Sequence, residues 1–170
     1  VELLGACKSL PFEIKDDVTA SDELRLQFRY LDLRRPVMLN HLIARHRTVV
    51  EIRSALEEMN FLEIETPMFV KSTPEGSRDF LVPSRLYPGR CYALPQSPQL
   101  YKQILMISGV DRYYSIPRCF RDEDPRRGRQ LVHTQIDLEM SFAEESDVFA
   151  VVEHFLQRCF RTVLGIQLPD

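Results

Sequence analysis

The chain has 170 residues, 44% of them hydrophobic and 28% charged, a balance ordinary for one globular domain, or for a domain with a short remnant of another. Its net charge of −3 excludes a chain-wide basic surface for nucleic acid, so any such contact is local. Cys7, Cys91, Cys119 and Cys159 form no C-x-x-C pair, and His41, His46, His133 and His154 lie at no matching ligand spacing. That argues against structural zinc and for reduced thiols in an intracellular protein. There is no signal peptide, lipidation motif or apolar run long enough to span a bilayer. A chain that begins at Val1 reads as a piece of a longer protein.

Val1–Ile14 reads as the end of another element, and Asp16–Glu23 as a polar linker. Pro36 is a good first-turn residue and opens a predicted helix to about Met59. Leu39, Leu42, Ile43, His46, Val49, Val50, Arg53 and Leu56 fall on one stripe of helical period, suited to core packing or to a dimer interface. Phe61–Val70 alternates and predicts a strand ending near Pro67. The Lys71–Gly76 stretch reads as a turn-rich loop. Phe80–Val82 and Arg90–Leu94 predict short strands around a Pro88-Gly89 turn. Gln96–Gly109 predicts a helix with Ser97 as N-cap, Pro98 as first residue and Gly109 as stop. Gln99 and Lys102, three apart, share a face of it. Ser146–Leu164 predicts a final helix ended by Gly165.

Tyr113–Phe142 predicts two strands joined by a long polar loop. On the return strand Thr134, Ile136, Leu138, Met140 and Phe142 form an apolar face, expected to pack on a core. The opposite face carries His133, Gln135, Asp137, Glu139 and Ser141, joined by Ser115, Cys119 and Arg121 from the first strand. Many alternating strands with one polar face are merely half-solvated. Here five consecutive outward positions are polar or ionisable, a density that strand preferences disfavour and that suits a floor for a charged ligand. Pro117 removes a ladder donor, so pairing there is expected to break or to lie at an edge. Guanidinium groups at strand ends suit phosphate or carboxylate, and a carboxylate–amide cluster suits an ammonium group.

Phe120-Arg121-Asp122-Glu123 with Thr134-Gln135-Ile136-Asp137 resembles motif 2 of the class II aminoacyl-tRNA synthetases, and Phe61–Pro67 resembles their motif 1. Arg29–Arg35 (RYLDLRR), Thr73–Asp79 (TPEGSRD), Leu94–Gln103 (LPQSPQLYKQ) and Arg118–Asp124 (RCFRDED) are similar to the aspartyl branch in its bacterial or organellar form. Several motifs in the right order are far more specific than one. The resemblance implies an α+β fold, an antiparallel sheet flanked by helices, incomplete here. Residues 1–20 would be the end of an N-terminal anticodon-binding barrel and its linker, and 21–170 the first half of the catalytic domain.

The resemblance also implies the reaction: L-aspartate, ATP and Mg2+ give aspartyl-adenylate, and the aspartyl group moves to the 3′ end of tRNA-Asp. Arg121 would be the catalytic residue, bridging the α-phosphate and the attacking carboxylate. Glu75, Gln99, Lys102, Arg121, Gln135 and Asp137 would hold aspartate, with Lys102 on its side-chain carboxylate. Arg121, Asp122, Glu123, Gln130 and His133 would contact ATP, and Arg126, Arg127 and Arg129 the tRNA acceptor end. No metal ligands are expected within this stretch. A homodimer in the bacterial cytoplasm or the mitochondrial matrix, with no membrane contact, is also implied.

Two departures stand out. Where the family usually carries Pro-Glu-Phe, this chain has Leu131-Val132-His133, so His133 replaces an aromatic that stacks on adenine. The Gly-rich motif 3 does not occur, so the chain alone is expected to be inactive. Rival readings are a synthetase-like paralogue that activates an acidic amino acid for another acceptor, and a non-catalytic module that binds tRNA or protein.

Overall fold

A computed structural model describes the whole chain except Val1, Leu3, Cys7, Pro74, Glu75, Pro125, Arg127 and Asp170. It divides into two compact units, residues 1–53 with 157–170, and residues 54–156.

In the first unit, α1 (Asp22–Gln27) starts where the Ser21 hydroxyl accepts from the Leu24 N–H at 3.3 Å, a side-chain cap on a free helix donor. The short α2 (Arg29–Asp32) follows. Asp32 is completely buried and binds three guanidinium groups: Arg35 at 2.7 Å, Arg29 at 2.6 Å and Arg25 at 2.9 Å. Their hydrogen bonds, that of Arg25 first, outweigh the burial cost and hold the Asp32 carboxyl at about 2, below the usual carboxylate range. Arg35, itself buried, also donates to the Lys15 and Asp16 carbonyls at 2.9 and 2.8 Å. The Asp16 carboxylate accepts from the Val37 N–H at 3.0 Å. The segment read as a free polar linker is therefore tied down, and the RYLDLRR run is what ties it.

Helix α3 (Pro36–Glu58) opens at the proline as expected. Asn60, at φ 62°, ends it with the left-handed turn that Asn tolerates better than most residues. Ile52, Ala55 and Leu56 are buried, but Leu39, Leu42, Ile43 and Val50 stay exposed, so the front of the predicted stripe is uncovered.

The second unit centres on a three-stranded sheet in the order β1 (Leu62–Glu63), β4 (Arg112–Ser115), β7 (Asp137–Met140). β1 is parallel to β4 and far shorter than the strand predicted over Phe61–Val70. A second pair, β2 (Leu81–Pro83) and β3 (Cys91–Ala93), flanks the Gly89 turn. Helix α4 (Gln99–Ile107) begins later than predicted, and Pro98 rather than Ser97 is its cap residue, with no side-chain cap bond. Gly109, at φ 88°, supplies the conformation that ends it.

The long hairpin is split. β4 pairs antiparallel with β7, and β5 (Arg118–Phe120) with β6 (Val132–Thr134). Between them lie Ile116-Pro117 and Gln135-Ile136, where the Gln135 N–H still donates to the Pro117 carbonyl at 3.1 Å. Ser115 pairs with Asp137 before the gap and Arg118 with Thr134 after it, so the register runs through the break.

Burial adds to one expectation. On the face predicted to be apolar and inward Tyr114 is buried and Leu138 and Met140 are half-buried, while Ile136 at the break and Phe142 past the strand end are 37% and 100% exposed. The polar face is covered as well near the break: Tyr113, Ser115, Cys119 and Asp137 are all buried, with α4 packed against β4 and β7. Alternation gives the two faces but not which one another element covers. Helix α5 (Glu145–Cys159) passes into a π-helical turn, Phe160–Leu164, closed by Gly165 at φ 68°. Arg158 of α5 binds Glu51 at 2.7 Å.

Candidate active site

Two neighbouring features of the second unit collect most of the predicted site residues. The first lies under α4. Alternation along β4 and β7 turns Tyr113, Ser115, Asp137 and Glu139 to one face. Lys102 of α4 reaches down to it, 3.0 Å from Asp137 and 3.2 Å from Glu139, with its side chain 13% exposed. Burial works against the Lys102 charge, but the bonds to Asp137 and then Glu139 outweigh it and raise the ammonium above the usual lysine range. Asp137, 2% exposed, goes the other way from a normal ion pair. Burial raises its carboxyl and the single Lys102 cation, shared with Glu139, does not fully offset it. Its Oδ2 and the Tyr113 hydroxyl have no hydrogen-bond partner among the described residues.

The second feature is a cavity of about 380 Å3 lined by Gly76, Ser77, Arg78, Asp122, Glu123, Asp124, Arg126 and Arg129. That volume lies within the range of small-ligand sites. Ser77 donates its hydroxyl to Glu123. This bond first, helped by the charges of Arg121, Arg129 and Arg126, overcomes burial and lowers the Glu123 carboxyl, so Glu123 stays ionised. Arg78 and Asp122 zip the two walls together, with the Asp122 N–H donating to the Arg78 carbonyl at 3.0 Å. Three arginines in so small a space suit a polyanion.

Gln96 braces the 77–79 wall of the cavity from the segment leading into α4. It is buried, exchanges hydrogen bonds with the Ser77 backbone at 2.9 and 3.2 Å, and donates to Asp79. The Phe120 N–H of β5 donates to the Pro95 carbonyl at 2.9 Å, which holds that segment against the hairpin.

The structure thus brings Lys102 and Asp137 together, and separately Asp122, Glu123, Arg126 and Arg129. Gln135 accepts from the Cys119 thiol at 3.3 Å, and His133 is half-buried opposite Cys119. Gln99 is half-buried on α4, while Arg121 and Gln130 are exposed and neither lines the cavity. Glu75 and Arg127 lie outside the described residues. Sequence reasoning missed Ser77, Asp79, Gln96 and the ionic role of Glu139. Glu139 was legible as the next same-face position after Asp137. Gln96 was not, because its partners lie 17 and 19 positions away. Among the described residues no group of three or more His, Cys, Asp or Glu is arranged to hold a metal.

The family described as tRNA synthetases class II (D, K and N) matches residues 21–169. The chain belongs to this family. Among curated class II relatives it is 58% identical to an aspartate-tRNA(Asp/Asn) ligase of Hydrogenobaculum sp. over 99% of its own length and 28% of that protein's. It is 53% identical to an aspartate-tRNA ligase of Geobacillus kaustophilus and 54% identical to an aspartate-tRNA(Asp) ligase of Deinococcus radiodurans, covering 99% of this chain and 29% of each relative. Among solved structures, a putative aspartyl-tRNA synthetase from Leishmania major superposes with a TM-score of 0.81 at 25% identity, over 94% of this chain and 31% of that one. An asparaginyl-tRNA synthetase from Pyrococcus horikoshii, complexed with asparaginyl-adenylate, gives 0.80 at 23% identity over 96% of this chain and 38% of its own length, a likeness of fold. The class II α+β architecture is therefore shown, for a chain spanning less than a third of the length of the curated relatives it matches.

Proposed function

We propose that this chain is the part of an aspartate-tRNA ligase that carries the aspartate pocket and the motif 2 hairpin. The carrying observation is Lys102 of α4, a nearly buried cation 3.0 Å from Asp137, whose hairpin also supplies one wall of an arginine-lined cavity. The relatives' names support aspartate rather than lysine or asparagine. Lys102 would take the ligand's side-chain carboxylate, and Asp137, with Gln99, Gln135 and Glu75, its ammonium group. Arg121 would bridge the α-phosphate and the attacking α-carboxylate, offsetting charge that builds in the transition state. The carboxylate oxygen attacks the α-phosphorus and pyrophosphate leaves. A hydroxyl of the terminal adenosine of tRNA-Asp then attacks the new anhydride carbonyl and AMP leaves. Positioning and electrostatics suffice, with no protein nucleophile.

ATP would lie over the hairpin, from Asp122 and Glu123 of the cavity wall to Gln130 and His133 outside it, and bring Mg2+ on its own phosphates. Arg126, Arg127 and Arg129 would meet the acceptor end of tRNA. The exposed apolar residues of α3, Leu39, Leu42, Ile43 and Val50, support a homodimer contact. The family match begins at residue 21, which supports reading residues 1–20 as the end of a preceding domain.

The test is aspartate-dependent ATP–pyrophosphate exchange and binding of isotope-labelled aspartate in the full-length gene product, with and without Lys102→Ala. Exchange and binding that are both lost in the variant support the ligase. Binding with adenylate formation but no charging of tRNA supports the paralogue. No aspartate binding in either form supports the non-catalytic module.

A further inference from the structure

Tyr113 is a group of the Lys102 pocket that the reaction scheme leaves unused. It is fully buried, and its hydroxyl has no hydrogen-bond partner among the described residues. The second orphan in the same place is Asp137 Oδ2. A buried donor and a buried acceptor left unmade are both costly, and two on one face call for a reason. The strands supply the juxtaposition. Ser115 is directly opposite Asp137 and Tyr113 directly opposite Glu139. Tyr113 and Asp137 are thus a diagonal cross-strand pair, the spacing an aromatic side chain spans.

We infer that Tyr113 is a positioning residue of the aspartate pocket, whose hydroxyl donates to the open oxygen of Asp137 when the ligand's carboxylate draws Lys102 away. The two groups already sense each other: after burial, the Asp137 charge is the next influence raising the Tyr113 hydroxyl, and Tyr113 lowers the Asp137 carboxyl. In the free state Lys102 serves Asp137 and Glu139 together. A ligand carboxylate competes for that ammonium, and Asp137, left to hold the ligand's own ammonium group, then needs a donor for its open oxygen. Tyr113 is the uncommitted donor at hand. A neutral amide side chain draws less on Lys102 and so asks less of Tyr113. The hydroxyl is therefore a discriminating device for an acidic over an amide ligand, acting through Asp137 without touching either.

The inference rests on the aspartate reading of the pocket, and Tyr113→Phe in the full-length gene product tests it. The variant removes one oxygen and keeps the ring, so the fold is retained. We expect the KM for aspartate in ATP–pyrophosphate exchange to rise about tenfold, the effect of one lost hydrogen bond to a charged group. The KM for ATP stays within twofold, the preference for aspartate over asparagine falls by about the same tenfold, and Tm is unchanged or higher. In an Asp137→Asn background the effect of Tyr113→Phe disappears. An aspartate KM within twofold of the parent overturns the inference. So does a parallel rise in both KM values with a fall in Tm, which marks a merely structural hydroxyl. A parent protein with no aspartate-dependent exchange overturns the aspartate reading instead, so the two failures are distinct.

Discussion

Asp32 and Asp137 are both buried carboxylates, and the chain treats them in opposite ways. Asp32 is saturated: three guanidinium groups surround it, none of its oxygens is left over, and its carboxyl sits at about 2. Asp137 is undersupplied: one ammonium is divided between it and Glu139, one oxygen has no partner among the described residues, and its carboxyl is raised. The first arrangement has nothing to offer a ligand and ties backbone together through Arg35. The second can exchange partners, because its cation is committed twice and its anion only partly. Charge satisfaction, more than charge density, separates a fastening from a binding site.

That contrast breaks if the two acids respond alike. The largest expected effect is Asp32→Asn, which strands the buried Arg35 charge and should cost about 3–5 kcal/mol in denaturant unfolding. Aspartate affinity of the folded fraction should not change. Next is Lys102→Ala, for which labelled-aspartate binding should weaken about a hundredfold or more, the order expected when one partner of a buried charged contact is truncated. The acid limb of stability comes third. Asp32 has a lower pKa folded than unfolded, so the unfolded chain binds more protons, and stability should fall as pH drops from about 4 to about 2. Asp137 has the reverse sign: its contribution is present at low pH and is lost as pH rises through its raised pKa. Thermal unfolding against pH should therefore lose the acid limb in Asp32→Asn and keep it in Asp137→Asn. Smallest is Arg29→Ala. Its side chain is 45% exposed and two guanidinium groups remain on Asp32, so calorimetry should register about 0.5–1 kcal/mol at most.

Local signals in the sequence were read well. Pro36 opened α3, Gly109 and Gly165 ended helices, and Pro117 broke the hairpin. These residues act through their own backbone, so neighbours in sequence suffice to find them. What remained hidden depended on a third element. Alternation gave two faces to the hairpin, but only α4, arriving from residues 99–107, shows that the polar one is buried at Ser115 and Asp137. Gln96 looked like a helix opener until its partners at Ser77 and Asp79 appeared. Of the site, Lys102 and Asp137 were named as candidates from motif order and resemblance, but their direct pairing was not. Nor was the Tyr113 orphan, because an unmade hydrogen bond leaves no mark in composition or spacing.

The break at Pro117 has one more consequence. Because pairing resumes in phase on its far side, the hairpin obeys a parity rule across the gap. Adding a single residue between Ser115 and Arg118, or between Thr134 and Asp137, would turn Cys119 or His133 to the face opposite Asp137. One residue on each side would restore the pairing but leave both Cys119 and His133 turned away from the Asp137 face, so pairing and facing survive together only when two residues are added on each side. The loop from Arg121 to Leu131 carries no such pairing rule, although Asp122 and Glu123 at its start are tied to Arg78 and Ser77. Grafts into this hairpin should therefore vary the loop beyond Glu123 and lengthen the joint only by two residues on each strand.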